Sequence, residues 1–505
     1  MPHTAEQTYE QVCQHARETA YLATAEAMLG WDERTMLPVG AGEYRADQMA
    51  YLSGLIHQRR TDPRLGGWLE ELTHCQLAAE PHSDAGTTIR QLKREYDKKV
   101  KLPQALVEEL TRTASLGQHI WQEARANNDF AAFAPVLEKT YSLKRDQAQA
   151  IGFARHAYDA LLDDFEPGES TENITRVLAN LRDALVPLVA EIAQSGRSPE
   201  VAILTHRFPA DMQEWFGRTV AARLGFDFRR GRLDTTAHPF CSGMGPHDCR
   251  ITTRYDEHFF PTAFFGILHE VGHGIHDQGL RAEQYGLPPA EAVSLGIHES
   301  QSRMWENLVG RSWPFWEHFF PTAQQTFPAA LGEVSLQDFY FAINDVRPSL
   351  IRVEADEATY NLHILIRLEL EQALLSNDLR VADLPGAWQE KYTQYLGVAP
   401  PNDADGVMQD IHWAAGLVGY FPTYSLGNLY ASQFFEAADR DCGGLRGQFA
   451  HGEFDPLRTW LGEKIHHVGQ RYTAAELVER VTGKSLSHAP LIAHLRGKLG
   501  PLYGL

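Results

Sequence analysis

Cysteine is scarce in this 505-residue chain: Cys13, Cys75, Cys241, Cys249 and Cys442, an odd set without a C-x-x-C spacing. A disulfide framework is therefore not expected. Cys241 and Cys249 fall close to the region read below as the cleft. A zinc role is the lesser reading for them, and buried or incidental thiols are the expectation. Long apolar runs are missing too; no stretch of about eighteen uncharged apolar residues offers a membrane helix. Residues Met1 to Gln7 lack the charged and apolar regions of a signal peptide, so a cytoplasmic protein is expected. There is no excess of positive charge. Lys and Arg number 46 against 66 Asp and Glu, a net charge of -20, which disfavours nucleic acid and anionic membranes as partners. No Ser/Gly linker, low-complexity run or fixed-period repeat divides the chain.

What is present is ordinary for a soluble globular protein with a sizeable core, at 43% hydrophobic and 22% charged residues. The expectation is one catalytic unit over 1–505, with 1–165 as a helical scaffold or lid and 166–505 carrying the site and its cleft. Tyr9 to Leu29 and Thr88 to Lys99 show apolar residues at helical spacing. Trp31 to Pro38 breaks the pattern and predicts a structural turn between helices, and Asp163 to Ser170 predicts a second break. Between Phe228 and Tyr255, short segments rich in Gly, Pro, Thr and Arg predict a small sheet. Its free edge would suit an extended peptide. Helical patterns then run to the carboxyl end, so the fold class is mainly α with one small sheet.

The strongest chemical signal is His269-Glu270-Val271-Gly272-His273. On a helix, residues four apart share a face, so His269 and His273 can converge on one metal ion while Glu270 activates a metal-bound water. Pro261 can start this helix, Phe264, Phe265, Ile267, Leu268 and Val271 pack it, and Gly274 and Gly279 offer stops. Two histidines and a glutamate buried without partners would cost several kcal/mol, which a metal relieves. His276 shares the face of His273 and reads as structural or supporting. A third ligand must come from elsewhere. Glu299, in His298-Glu299-Ser300-Gln301-Ser302-Arg303, leads, with Glu291, Glu306 and His298 as competitors.

Taken together, His238-Pro239-Phe240, Asp248 to Thr252, His269 to His273, His298 to Gln301, Ile351 to Asp356 and Gly406 to Trp413 resemble, in order and over nearly the whole chain, the M32 metallocarboxypeptidases, the carboxypeptidase Taq family. Phe421 to Asn428 fits the same resemblance. It implies a large helical cleft-type metallopeptidase fold, similar to neurolysin and angiotensin-converting enzyme, usually a homodimer, with Glu299 as third ligand. It also implies a peptidase acting on peptides with a free carboxyl terminus. Tyr424 then faces the oxyanion, His412 supports it and Tyr420 contacts substrate. The same aromatic stretch, read without the family, would be core.

Recognition of a terminal carboxylate calls for arginine's planar fork. Arg352 and Arg250 lead, although Asp356 and Asp248 stand near them in sequence as structural partners. His238 contacts substrate or orients the cleft. The expected cofactor is one divalent ion per chain, Zn²⁺ foremost, with Co²⁺ or Mn²⁺ compatible with two His and one carboxylate. The alternatives are a metal-dependent oligoendopeptidase cutting short peptides internally and a silent helical zinc-binding protein. A general base at Glu270 argues against the second.

Overall fold

Helix-forming patterns from Ala5 onward fold as helices, and the computed structural model describes residues 4–505. Met1, Pro2 and His3, on which part of the signal-peptide reading falls, lie outside the described residues. The first helix, Ala5–Thr35, opens with a capping box. The Thr4 hydroxyl accepts from the Gln7 amide, and the Gln7 side chain accepts from the Thr4 amide. The helix over Asp84–Val100 starts on Ser83, whose hydroxyl accepts from Gly86. Among the described residues no helix is long and apolar enough to cross a membrane.

The expected turn from Trp31 to Pro38 is corrected. Trp31 to Thr35 stay helical, because neither glycine nor proline interrupts them, and the helix ends only as Leu37 approaches Pro38. Trp31 is buried beneath two guanidinium groups, Arg250 at 4.5 Å and Arg232 at 5.2 Å from its ring centroid. The helix thereby docks on the sheet through cation–π contacts.

The sheet forms where expected: β1 (Gly231–Thr235), β2 (Cys241–Gly243) and β3 (Cys249–Thr253), in the order β1-β3-β2. β1 and β3 are parallel with Leu233 opposite Ile251, and β2 and β3 are antiparallel with Ser242 opposite Arg250. Ile251, Thr252 and Thr253 are fully buried β-branched residues, suited to the central strand. Directly after the sheet comes the helix over Phe260–Gly279, hereafter the motif helix. It passes through Gly274, one of the two expected stops, because a side chain there would meet Phe226 at 2.6 Å and Ile251 at 3.3 Å. Phe216, Phe260, Phe264, Trp316, Phe327 and Phe339 stack beneath the motif helix and fix its base in the main core. A smaller apolar cluster of Val12, Leu65, Leu69, Leu72 and Ile89 joins the first helices.

The break at 163–170 separates helix Ala157–Leu162 from helix Thr171–Gln194. Its Glu166 is fully buried and accepts from the Ser294 hydroxyl (2.6 Å), the Gly296 amide (3.1 Å) and the Tyr430 hydroxyl (3.1 Å). Ser294 and Gly296 begin the helix Leu295–Arg303, and Tyr430 lies on the helix Pro422–Asp441. One carboxyl thus ties the break to two helices that line the site.

Burial raises the Glu166 carboxyl from its ordinary 4.5 to about 7, against the pull of its three donors. An acid whose folded value is raised stabilises fully below its unfolded pKa, and that stability is lost as pH climbs through the folded value. Between about pH 4.5 and 7 the loss from this group is roughly 3 kcal/mol. Denaturant unfolding across that window should therefore show a shallower pH slope in Glu166→Gln than in the parent protein.

Candidate metal centre and active site

The motif helix places His269 and His273 one turn apart, their ring centroids separated by 5.0 Å. Helix Leu295–Arg303 brings Glu299 against them. Glu299 Oε2 lies 3.4 Å from His273 Nε2 and 3.7 Å from His269 Nε2. Two glycines permit this approach. A side chain at Gly272 would meet the Gln301 carbonyl oxygen at 2.5 Å and the Ser302 Cα at 2.6 Å. A side chain at Gly427, on helix Pro422–Asp441, would meet Glu299 Cγ at 2.6 Å.

The donors fit a metal ion. Their atoms all lie within 4.8 Å of one another, and donors about 2.0–2.1 Å from a tetrahedral centre stand about 3.4 Å apart. Glu306 Oε2 is 2.9 Å from His269 Nδ1; a proton on Nδ1 there leaves the Nε2 lone pair facing the other donors. Arg303 Nε donates to Glu299 Oε1 at 2.7 Å, so the opposite oxygen turns inward. His273 stacks on His298 at 4.3 Å, and His298 Nε2 and His276 Nδ1 lie 3.0 and 3.2 Å from Asp277 Oδ1.

Electrostatics prepare the same donors. Burial, with His298 nearby, pushes His273 down to about 3, so its ring is neutral. Burial would raise Glu299, but Arg303 and His269 outweigh it and hold the carboxylate well below its usual range. His269 rises because Glu299 and Glu306 outweigh its desolvation. A neutral imidazole and an ionised carboxylate are the states a metal ligand needs; His273 and Glu299 are shifted toward them, whereas His269 is shifted toward its protonated form and would release that proton on binding. Glu270 behaves differently: burial foremost, with Glu299 adding, pushes its carboxyl up to about 7, and its Oε2 is buried without a partner.

A second cluster gathers His412, Tyr420, Tyr424 and Arg352. His412 Nε2 lies 3.3 Å from the Tyr424 hydroxyl, and the Tyr420 and Tyr424 rings are 5.3 Å apart. Tyr424 sits one turn before Gly427, the residue that abuts Glu299, which sets this cluster beside the first. Burial pushes His412 down to about 4. Arg352 stands 5.1 Å over the Tyr424 ring and donates to Asp410 Oδ1 through Nε (3.0 Å) and Nη2 (2.8 Å), and to the Tyr360 hydroxyl at 3.0 Å. The alternative weighed for Arg352, a structural pair with Asp356, does not form. Arg352 lies in a single 3₁₀ turn, Arg352–Glu354, where a four-residue spacing does not bring side chains together. Asp356 instead accepts from the Ala358 and Thr359 amides.

Arg250 and His238 are not brought to these clusters by any hydrogen bond or ion pair. Arg250 forks onto Asp248, with both contacts at 2.9 Å, beneath its Trp31 stack. His238 is exposed between β1 and β2. Glu306, considered in the sequence only as a rival ligand, serves His269 instead. Its signal was present, since Glu299, Arg303 and Glu306 recur at i, i+4 and i+7. Asp410 stood inside a quoted motif without an assigned role. Fully buried Arg367, which donates to Asp410 Oδ2 at 2.7 Å, had no signal.

Two imidazoles and a carboxylate around one point, beside a buried carboxyl with a free oxygen, could hold a metal ion and are the set that metal-dependent hydrolysis of the HExxH kind calls for. A family model described as carboxypeptidase Taq (M32) metallopeptidase matches residues 11–499. The chain is 49% identical to thermostable carboxypeptidase 1 of Thermus thermophilus, over 99% of this chain and 100% of that protein. It is 38% identical to carboxypeptidase 1 of Bacillus subtilis, over 96% and 97%. The M32 carboxypeptidase structure from Deinococcus radiodurans superposes with a TM-score of 0.95 at 40% identity, over 99% of this chain and 100% of that one. The chain belongs to the carboxypeptidase Taq (M32) metallopeptidase family. It is a metallocarboxypeptidase, working on peptides with a divalent metal ion.

Loss of a carboxylate that orients a ligating histidine costs about 10–100-fold in metal affinity. Glu306→Gln should weaken metal binding by about that factor, read by competition with a chromogenic chelator, while its far-ultraviolet circular dichroism stays that of the parent.

Proposed function

We propose that this enzyme removes single residues from the carboxyl ends of peptides, with His269, His273 and Glu299 holding Zn²⁺. Two nitrogens and one carboxylate oxygen suit that ion, and Co²⁺ or Mn²⁺ would fit the same donors. When bound there, the ion supplies Lewis-acid polarisation of the scissile carbonyl and lowers the pKa of a water toward about 7. Glu270 takes a proton from the attacking water and passes it to the leaving amine. Its buried, partnerless Oε2 and a carboxyl pushed up to about 7 suit that shuttle. Tyr424 donates its phenol proton to the oxyanion on the former carbonyl oxygen, an effect worth about 3 kcal/mol for such a donor. His412 holds that phenol from 3.3 Å, and Tyr420 packs against the substrate beside it.

The observation that carries the exopeptidase reading is the charge around Asp410. One carboxylate serves two buried guanidiniums, Arg352 and Arg367, leaving a net positive charge next to Tyr424. A substrate's terminal carboxylate supplies the missing negative charge. Arg250, already forked onto Asp248, is the lesser carboxylate reader, and His238 is a contact on the rim. The whole of 1–505 acts as one catalytic unit, with 1–165 as scaffold or lid for the site carried by 166–505. A cytoplasmic homodimer completes the reading; Val39, Tyr44 and Tyr51 are exposed and offer an apolar surface to a second copy.

Mass spectrometry of products from a free peptide should give a ladder of single-residue losses, its carboxyl-amidated twin should resist, and a chelated control should be inert. Equal hydrolysis of both peptides would favour the oligoendopeptidase instead. Glu270→Gln should keep its metal yet lose about 10²–10⁴-fold in kcat; undiminished turnover would defeat the proton-shuttle role.

A further inference from the structure

We propose that Cys241, Cys249 and Asp277 form a second metal site that takes one soft or borderline divalent cation of the Zn²⁺, Co²⁺ or Cd²⁺ class. It lies outside the His269, His273 and Glu299 cluster and uses none of its atoms. The two sulfurs stand 3.6 Å apart, and Cys241 Sγ stands 4.0 Å from Asp277 Oδ2. All three donor atoms lie within 4.8 Å of one another. Two thiolates bound at about 2.3 Å to a tetrahedral ion are about 3.8 Å apart, so the sulfurs already hold the edge such an ion requires.

The backbone explains how the donors meet. In the antiparallel β2–β3 pair, Gly243 lies opposite Cys249 and Cys241 lies opposite Ile251, so both cysteines project from one face, diagonally related. Between them in the ladder, Gly243 contributes no side chain; one there would stand 2.9 Å from Asp277 Oδ2. The carboxylate occupies that space from the last turn of the motif helix. Its two oxygens have separate surroundings. Oδ1 faces His276 and His298, whereas Oδ2 has, among the described residues, no hydrogen-bonding neighbour besides the Cys241 thiol. Cys249 is buried and Cys241 partly so, which shields two donors; a tetrahedral ion held by these three donors would take one further ligand.

Binding replaces two thiol protons with one divalent ion, and both protons go to solvent. The neighbouring Cys249 sulfur and burial hold the Cys241 thiol in its neutral form, so uptake should strengthen as pH rises. An occupied site would pin β2 and β3 to the end of the motif helix.

The test is cobalt titration of the full, metal-stripped chain under a non-chelating phosphine reductant. The parent should take up about two Co²⁺ per chain and develop thiolate-to-cobalt charge-transfer absorption. Glu299→Ala should lose the first site and keep that absorption, which separates this proposal from the reading of the catalytic centre. Cys241→Ser with Cys249→Val should take up about one ion and show none. Absent absorption in the parent, or unchanged uptake in the cysteine variant, would overturn the proposal. If the cysteine variant does not fold, alkylation of the parent decides: Co²⁺ should protect Cys241 and Cys249, and full labelling in its presence would refute the site.

Discussion

Glu299 is anchored at one oxygen by Arg303 and offers the other, which the Ser302 hydroxyl also reaches at 3.2 Å. Arg303 binds Oε1, and Oε2 is turned toward the Nε2 atoms of His269 and His273, 3.7 and 3.4 Å away. Burying such a set costs several kcal/mol unless each group finds a counterpart, and much of the surrounding molecule supplies counterparts. Glu306 serves His269, Arg311 approaches Glu306 at 3.8 Å, and Arg303 lies 4.5 Å over the Tyr360 ring. Tyr360 in turn accepts from Arg352. A continuous polar path therefore joins the metal donors to the arginine beside Tyr424, and it runs through elements far apart in the chain.

That path explains which parts of the site could be read in advance. His269, Glu270 and His273 were legible because their chemistry is local: three residues on one turn reveal their geometry through spacing alone. Glu299 required the family resemblance to be chosen over Glu291, Glu306 and His298, since nothing in sequence says which carboxylate a separate helix will present. Arg352 shows the limit of local reading. Asp356, four residues away, was the alternative partner in sequence, yet Asp410, 58 residues on, takes both carboxylate contacts, because a short 3₁₀ turn gives no helical face to share. The fold class followed from periodicity, whereas Trp31 to Pro38 was misread because a change of composition was taken for a change of backbone.

Arg352 and Arg367 around Asp410 illustrate a second constraint. Buried charges are ordinarily balanced, and here the balance is deliberately incomplete, at the edge where a peptide end would bring a negative charge. In the proposed function, the chemistry at the metal and the choice of substrate end rest on different devices. One is a close set of donors; the other is an excess of one charge held by packing.

Gly272 and Gly427 give the first device its dimensions. The separation of its donors is set by atoms that are missing from two backbones, each in contact with the strand of chain that carries Glu299. No neighbouring side chain could shrink to make room for a methyl group at Gly272, because what it meets is main chain. The site is thus a matter of tolerance in the engineer's sense. Its donor chemistry can be exchanged residue by residue, but its clearance admits no intermediate setting, so a lineage drifting at these two positions would lose the fit in one step.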